Sequence, residues 1–194
     1  SPAVYQVNCI IAGSGSDIGM ELKKRLLLDG WEVEGVKGRD MVVPQSRWDM
    51  LILCYGQLSP IGKFFDCPEE AWGESVVING LYPLNFLRLA WPNRGEKPAV
   101  IFIGGPNMLK PSPTYTAYRA GKAILEALVG TLASEYPEAK FRVLHPGVVK
   151  TKIHDQTLKA GHKAANYERV MKIVNGGEST ISHDEVYQRL KAVL

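Results

Sequence analysis

Apolar residues along this chain come by turns in short unbroken runs and in four-residue repeats. The run VNCIIAG (7–13) is apolar almost throughout and ends in glycine, the pattern of a parallel strand buried on both faces. Ile18, Leu22 and Leu26 then recur at every fourth position, which predicts an amphipathic helix that Gly30 can end. WEVEGV (31–36) alternates as a strand, and DMLILCYG (49–56), AVIFIGG (99–105) and FRVLHPG (141–147) are further buried strands. Residues 68–91 predict one long helix, with Pro68 at its start and Pro92 beyond its end. A second long helix over 114–134 carries Ala117, Ala120, Ile124, Leu128 and Leu132. Residues 176–194 predict a loop and a final helix capped by Ser182, with Glu185 three positions on. Strand–helix alternation predicts an α/β fold: a doubly wound, mostly parallel sheet with helices on both faces, formed as a single domain over 1–194. Ligands of such sheets bind at the carboxyl ends of the strands. That rule selects the turns at 13–19, 37–40, 54–57, 104–107 and 146–151.

Composition narrows the partners. The 194 residues are 45% hydrophobic and 22% charged, ordinary for a globular domain, and the net charge of +3 is too small for a nucleic-acid footprint. The apolar runs at Met50–Leu53 and Ala99–Ile103 fall far short of the roughly 20 residues that span a bilayer, so no membrane segment is expected. No signal-peptide pattern stands at the start, and Ser1 leaves the true N-terminus open. Cys9, Cys54 and Cys67 are an odd set without ligand spacing; Cys9 and Cys54 read as small core hydrophobes. The expectation is a cytoplasmic protein without a metal site.

Four stretches carry candidate chemistry. AGSGSDIG (12–19) joins a strand to a helix, so its backbone can approach a phosphate at a helix N-terminus. Gly13, Ser14, Gly15, Ser16, Asp17, Ile18 and Gly19 are the candidate contacts. Asp17 puts a negative charge where pyrophosphate would lie, unless its carboxylate turns onto backbone N–H groups as a cap. After the second strand, Lys37 and Arg39 stand where a dinucleotide fold reads the ribose, with Asp40 beyond. Cations there suit the extra phosphate of NADP(H) over NAD(H); the plain alternative is a solvated charge cluster. Tyr118 and Lys122 lie four apart and share a helix face, so the ammonium can lower the phenol's pKa for proton transfer. Tyr115 and Arg119 share that spacing, but arginine cannot relay a proton. Asn79 sits four residues before Pro83, which has no N–H to bond the Asn79 carbonyl. The helix should bend there, and the freed carbonyl could hold a water in a relay to Lys122.

Taken together these pieces resemble the short-chain dehydrogenase/reductase family from residue 7 to about 152. AGSGSDIG is similar to the family's Gly-x-x-x-Gly-x-Gly turn, with Gly13 and Gly19 kept and Asp17 in place of the middle glycine. LCYG (53–56) resembles its Asn-Asn-Ala-Gly element, with Gly56 kept after Tyr55. Asn79, Tyr118-x-x-x-Lys122 and PGVVKT (146–151) resemble its active-site asparagine, its catalytic pair and its Pro-Gly-x-Val-x-Thr segment. The resemblance implies a Rossmann-type fold and hydride transfer between a nicotinamide cofactor and a small carbonyl or alcohol substrate. Tyr118 would be the general acid or base. Lys122 would tune it and hold the nicotinamide ribose, and Asn79 would anchor a water. Tyr55, Gly56, Pro146, Gly147, Val149 and Thr151 would complete the cofactor site, with Thr151 on the carboxamide. Relatives often pair through their long helices, which implies a homodimer.

The sequence departs from the family at several points. Thirteen residues before Tyr118, where relatives carry a serine, stands Gly105; Asn107, Ser112, Thr114 and Tyr115 are the candidates for the missing hydroxyl. Only about ten residues, Arg39–Trp48, separate the second strand from the next, and MVV (41–43) could be a vestigial edge strand stopped by Pro44. The C-terminal end lacks the glycine-rich last strand. Residues 152–166 occupy the place of the family's substrate loop. His154, His162, Lys152, Lys159 and Lys163 there could attract an anion or form a solvated, mobile face. The alternative function is a catalytically impaired nucleotide-binding regulatory or structural protein on the same scaffold. A third reading is a reductase domain cut from a longer polypeptide.

Overall fold

Each continuous apolar run becomes a strand, because a parallel strand covered on both faces has no side to leave polar. The computed structural model describes residues 8–39 and 41–194. Val7, which the sequence places in the first strand, and Asp40, beside the candidate cations, lie outside the described residues. The strands are β1 (Asn8–Ala12), β2 (Glu32–Val36), β3 (Trp48–Leu53), β4 (Arg94–Ile103) and β5 (Lys140–Leu144). They form one parallel sheet in the order β2-β1-β3-β4-β5. The helices are α1 (Asp17–Leu28), α2 (Glu69–Val76), α3 (Tyr82–Ala90), α4 (Thr116–Glu135), α5 (His154–Ala160), α6 (Tyr167–Val174) and α7 (His183–Val193).

Alternation along β1 divides the core. Cys9 and Ile11 pack with Leu22 and Leu26 of α1 and Leu190 of α7; Ile10 and Ala12 pack with Phe86 of α3 and Leu125 of α4. Cys9 and Cys54 are buried as expected of small hydrophobes. Sheet order reverses direction at β1, with β2 on one side and β3 on the other. This opens a crevice at their carboxyl ends. Gly13 makes the crossing possible: its φ is +75°, and a Cβ there would lie 2.4 Å from the Cys54 carbonyl oxygen.

Three expectations are revised. The helix over 68–91 is α2 and α3 joined by a π-helical turn at Val77–Leu81, where Tyr82 N–H bonds the Val77 carbonyl. Pro83 offers no N–H to Asn79, so the bend takes the form of a one-residue widening. Residues 41–43 form no strand; Met41 and Val43 instead pack their side chains against the core. A three-residue run ending at proline has too few N–H groups to sustain a ladder. Residues 152–166 are largely helical rather than a free polar loop, with Thr157 and Ala164 buried. Helix α6 is an element that the sequence reading does not include, although Val170 and Ile173 mark its buried face. The last helix matches its cap: Ser182 Oγ accepts from Glu185 N–H at 3.1 Å.

Candidate active site

A cleft of about 1410 Å³ opens at the carboxyl ends of β1, β3, β4 and β5. Ser16, Asp17 and Ile18 form one wall at the start of α1, and Pro146, Gly147, Val149 and Thr151 form the facing wall. Tyr55, Gly56, Tyr118 and Lys122 lie between them. Gly13, Ser14, Gly15 and Gly19 sit behind the first wall and not on the cavity surface. Ser14 is turned inward, with its N–H on the Val36 carbonyl at 3.1 Å and its side chain buried against Gly35. Ser16 caps α1, its Oγ accepting from Gly19 N–H at 3.0 Å. The first N–H groups of α1, at Asp17 and Ile18, have no helical partner, and both residues line the cleft. Asp17 does turn its carboxylate onto a backbone N–H, but that of Lys152, at 2.6 Å across the cleft. Lys152 Nζ bonds the Gly15 carbonyl at 3.0 Å, so a cation stands beside the acid.

Lys37 and Arg39 do not line the cavity. They lie beyond the glycine turn, with Lys37 exposed and Arg39 bonding the side-chain oxygen of Gln57. Tyr55 lines the cleft and offers its carbonyl to Lys122. Its ring packs edge-on to Tyr82 at 6.2 Å, and its buried hydroxyl has no partner among the described residues. Burial there pushes the phenol up to about 12.

Lys122 is 2% exposed, and its ammonium donates to the carbonyls of Tyr55 at 2.7 Å and Ile103 at 2.8 Å. It sits 5.8 Å from the centre of the Tyr118 ring. Burial pulls the lysine down to about 8 and pushes Tyr118 up to about 12. In this arrangement desolvation outweighs the lowering of the tyrosine that the four-residue spacing suggests. Asn79 is fully buried behind the pair and does not line the cleft. Its side chain grips the turn after β3: Oδ1 accepts from Gln57 N–H at 3.0 Å, while Nδ2 donates to the Gln57 carbonyl at 2.8 Å and the Ser75 carbonyl at 2.9 Å. Gly121 lets Asn79 come this close to α4, since a Cβ there would meet Asn79 Cβ at 2.5 Å.

Gly105 faces the pair. A Cβ at this position would lie 3.3 Å from Tyr118 Cε1 and 3.2 Å from Lys122 Cγ, so the site is packed around glycine. The candidate replacement hydroxyls are differently placed. Thr114 Oγ1 accepts from Ala165 N–H at 3.0 Å, and Tyr115 is bonded to Thr157 and Asn166. Ser112 and Asn107 line the cleft in a loop held by Arg119, whose Nη1 reaches Ser112 Oγ at 3.1 Å. Arg119 thus serves this loop rather than Tyr115. His145 also lines the cleft, between the Gly105 carbonyl at 3.0 Å and Glu126 at 2.8 Å. Sequence reading missed Gln57, Gln156, Thr157 and Asn166. Their roles come from partners distant in sequence, so no local pattern marks them.

Comparison with known proteins follows the same outline. The family model described as short chain dehydrogenase matches residues 39–161. An uncharacterized oxidoreductase of Schizosaccharomyces pombe is 30% identical over 107 residues, which cover 55% of this chain and 43% of that protein. The match therefore spans less than half the length of this curated relative. Among solved structures, a short chain dehydrogenase family protein from Francisella tularensis superposes with a TM-score of 0.80 at 15% identity, covering 97% of this chain and 91% of the other. A small-chain dehydrogenase in complex with NADPH superposes with a TM-score of 0.78 at 18% identity, covering 97% and 91%. At these identities the structures speak to the fold.

Proposed function

Because this chain belongs to the short-chain dehydrogenase/reductase family, we propose that it is an NADP(H)-dependent oxidoreductase acting on a small carbonyl or alcohol. One observation carries the reading: buried Lys122 stands 5.8 Å from the Tyr118 ring, and both line a cleft walled by the start of α1 and by residues 146–151. The nicotinamide, when bound, supplies or takes the hydride. Tyr118 gives its proton to the substrate oxygen during reduction and takes it back during oxidation. Its raised pKa keeps it protonated through neutral pH, which suits the acid role. Lys122, brought to about 8, can hand on a proton near working pH, and Asn79 holds the backbone behind it. The N–H groups of Asp17 and Ile18 suit the pyrophosphate, Thr151 the carboxamide, and Lys37 with Arg39 the extra phosphate of NADP(H). The NADPH bound to the small-chain dehydrogenase of like fold supports that choice. We further propose a cytoplasmic homodimer, one domain over 1–194, with residues 152–166 covering the substrate.

Gly105 favours a second reading, an impaired nucleotide-binding regulatory or structural protein. The usual hydroxyl is missing, and one such donor is worth about a hundredfold in rate. Fluorescence titration with NADPH and NADH, followed by a carbonyl screen, decides between the readings. NADPH should bind more tightly, and Arg39→Ala should weaken NADPH far more than NADH. Tyr118→Phe should remove turnover and leave affinity nearly intact. Binding of neither nucleotide at millimolar levels defeats both readings, and binding without turnover leaves the second.

A further inference from the structure

Tyr115 stands three residues before Tyr118, but its hydroxyl is already committed. It lies 2.6 Å from Asn166 Oδ1 and 2.8 Å from Thr157 Oγ1. The carboxamide oxygen only accepts, so the phenol proton goes to Asn166 and the Thr157 hydroxyl donates to the phenol. Tyr115 is 6% exposed and Thr157 1%, so water cannot readily replace the bond between them, whereas Asn166 is exposed. Thr114, next to it, has φ +71°, the left-handed region that a β-branched residue avoids. Its conformation is held from two sides: its carbonyl accepts from Gly62 N–H at 2.9 Å and its hydroxyl from Ala165 N–H at 3.0 Å. Gln156, the residue before Thr157, accepts at Oε1 from the N–H groups of Leu58 at 2.9 Å and Ser59 at 3.1 Å. The segment carrying α5 is therefore tied both to the entry of α4 and to the turn after β3. Ile153, Gln156 and Thr157 of that segment line the same cleft as Tyr118.

We propose that Tyr115 is a positioning residue: with Thr157 and Asn166 it holds α5 as a standing roof over the cleft, and this fixed roof sets which substrates fit. Tyr115 acts through α5 and does not replace the hydroxyl missing at Gly105. The substrate part of this proposal rests on the oxidoreductase reading; the latch itself does not.

The test uses the intact chain with Tyr115→Phe, Thr157→Val and the double variant. Both changes keep shape and remove a hydrogen-bonding oxygen. Amide hydrogen exchange, read without nucleotide or substrate, should quicken about tenfold over 153–166 in each single variant and stay unchanged in β1, β3 and β4. The double variant should exchange no faster than Tyr115→Phe, because that change already removes the bonds to both Thr157 and Asn166. In the carbonyl screen KM should rise and bulkier substrates should gain, with kcat within about twofold and NADPH affinity unchanged. Unchanged exchange over 153–166 in both single variants overturns the latch. A large fall in kcat with unaltered exchange would put the phenol on the substrate oxygen and overturn the positioning role. A wild-type chain that binds no nucleotide defeats the oxidoreductase reading, while the exchange result still decides the latch.

Discussion

Burial acts on Lys122 with a sign that can be measured. The amine falls from 10.5 to about 8 in the fold. Between those values the unfolded chain holds a proton that the folded chain has released, so stability rises with pH across that window. Below about 8 both states hold the proton and the burial penalty is fully present. Tyr118, raised from 10.0 to about 12, opposes this only above pH 10. Lys122→Met removes the titrating group. Urea denaturation at pH 7.5 and 9.5 should find wild type gaining on the variant by about 1–2 kcal/mol at the higher pH, since each tenfold change in proton affinity is worth roughly 1.4 kcal/mol. An equal difference at both pH values would mean that the amine is not desolvated. At this scale the sequence pointed to the pair by spacing, but not to the burial that dominates its electrostatics.

The widened turn between α2 and α3 shows how one proline shapes an element. Pro83 withholds an N–H, the helix takes a π-helical turn at Val77–Leu81, and Asn79 lies inside it against α4. The Asn79 side chain then satisfies the backbone of Gln57 in both directions. Asn79→Ala would remove both bonds to the half-buried Gln57 backbone, leaving its carbonyl only the 3.4 Å contact from Ser75 Oγ, at a cost of about 1–2 kcal/mol in unfolding free energy. A lowered urea midpoint with unchanged slope would confirm that cost, and an unchanged midpoint would refute it. The bend was legible from Pro83. The hold on Gln57 was not, because it joins residues 22 apart in sequence.

Across the whole molecule, no helix among the described residues is long and apolar enough to cross a membrane. Val77, Leu81 and Leu89 are exposed along the α2–α3 side. In the proposed homodimer, paired through the long helices, these side chains would be the ones covered. Sedimentation velocity at about 10 µM should give a dimer, and Leu81→Glu should shift it toward monomer by placing charge in a dry contact. A wild-type monomer would remove the dimer.

The sequence by itself determined the fold class, since buried strands and amphipathic helices alternate in a pattern that only a parallel sheet covered on both faces can bury. It also pointed to the candidate pair and the glycine turn, each a short local motif, and to the family through the order and spacing of such motifs from residue 7 to about 152. Tertiary structure alone decided that Asp17 reaches across to Lys152, that Gly105 is packed against Tyr118 and that the polar 152–166 stretch is hydrogen-bonded to Tyr115 at the entry of α4. These are contacts between residues far apart in sequence. Local pattern reports which face of an element is apolar, whereas the partner of a buried polar group is set only when the elements meet.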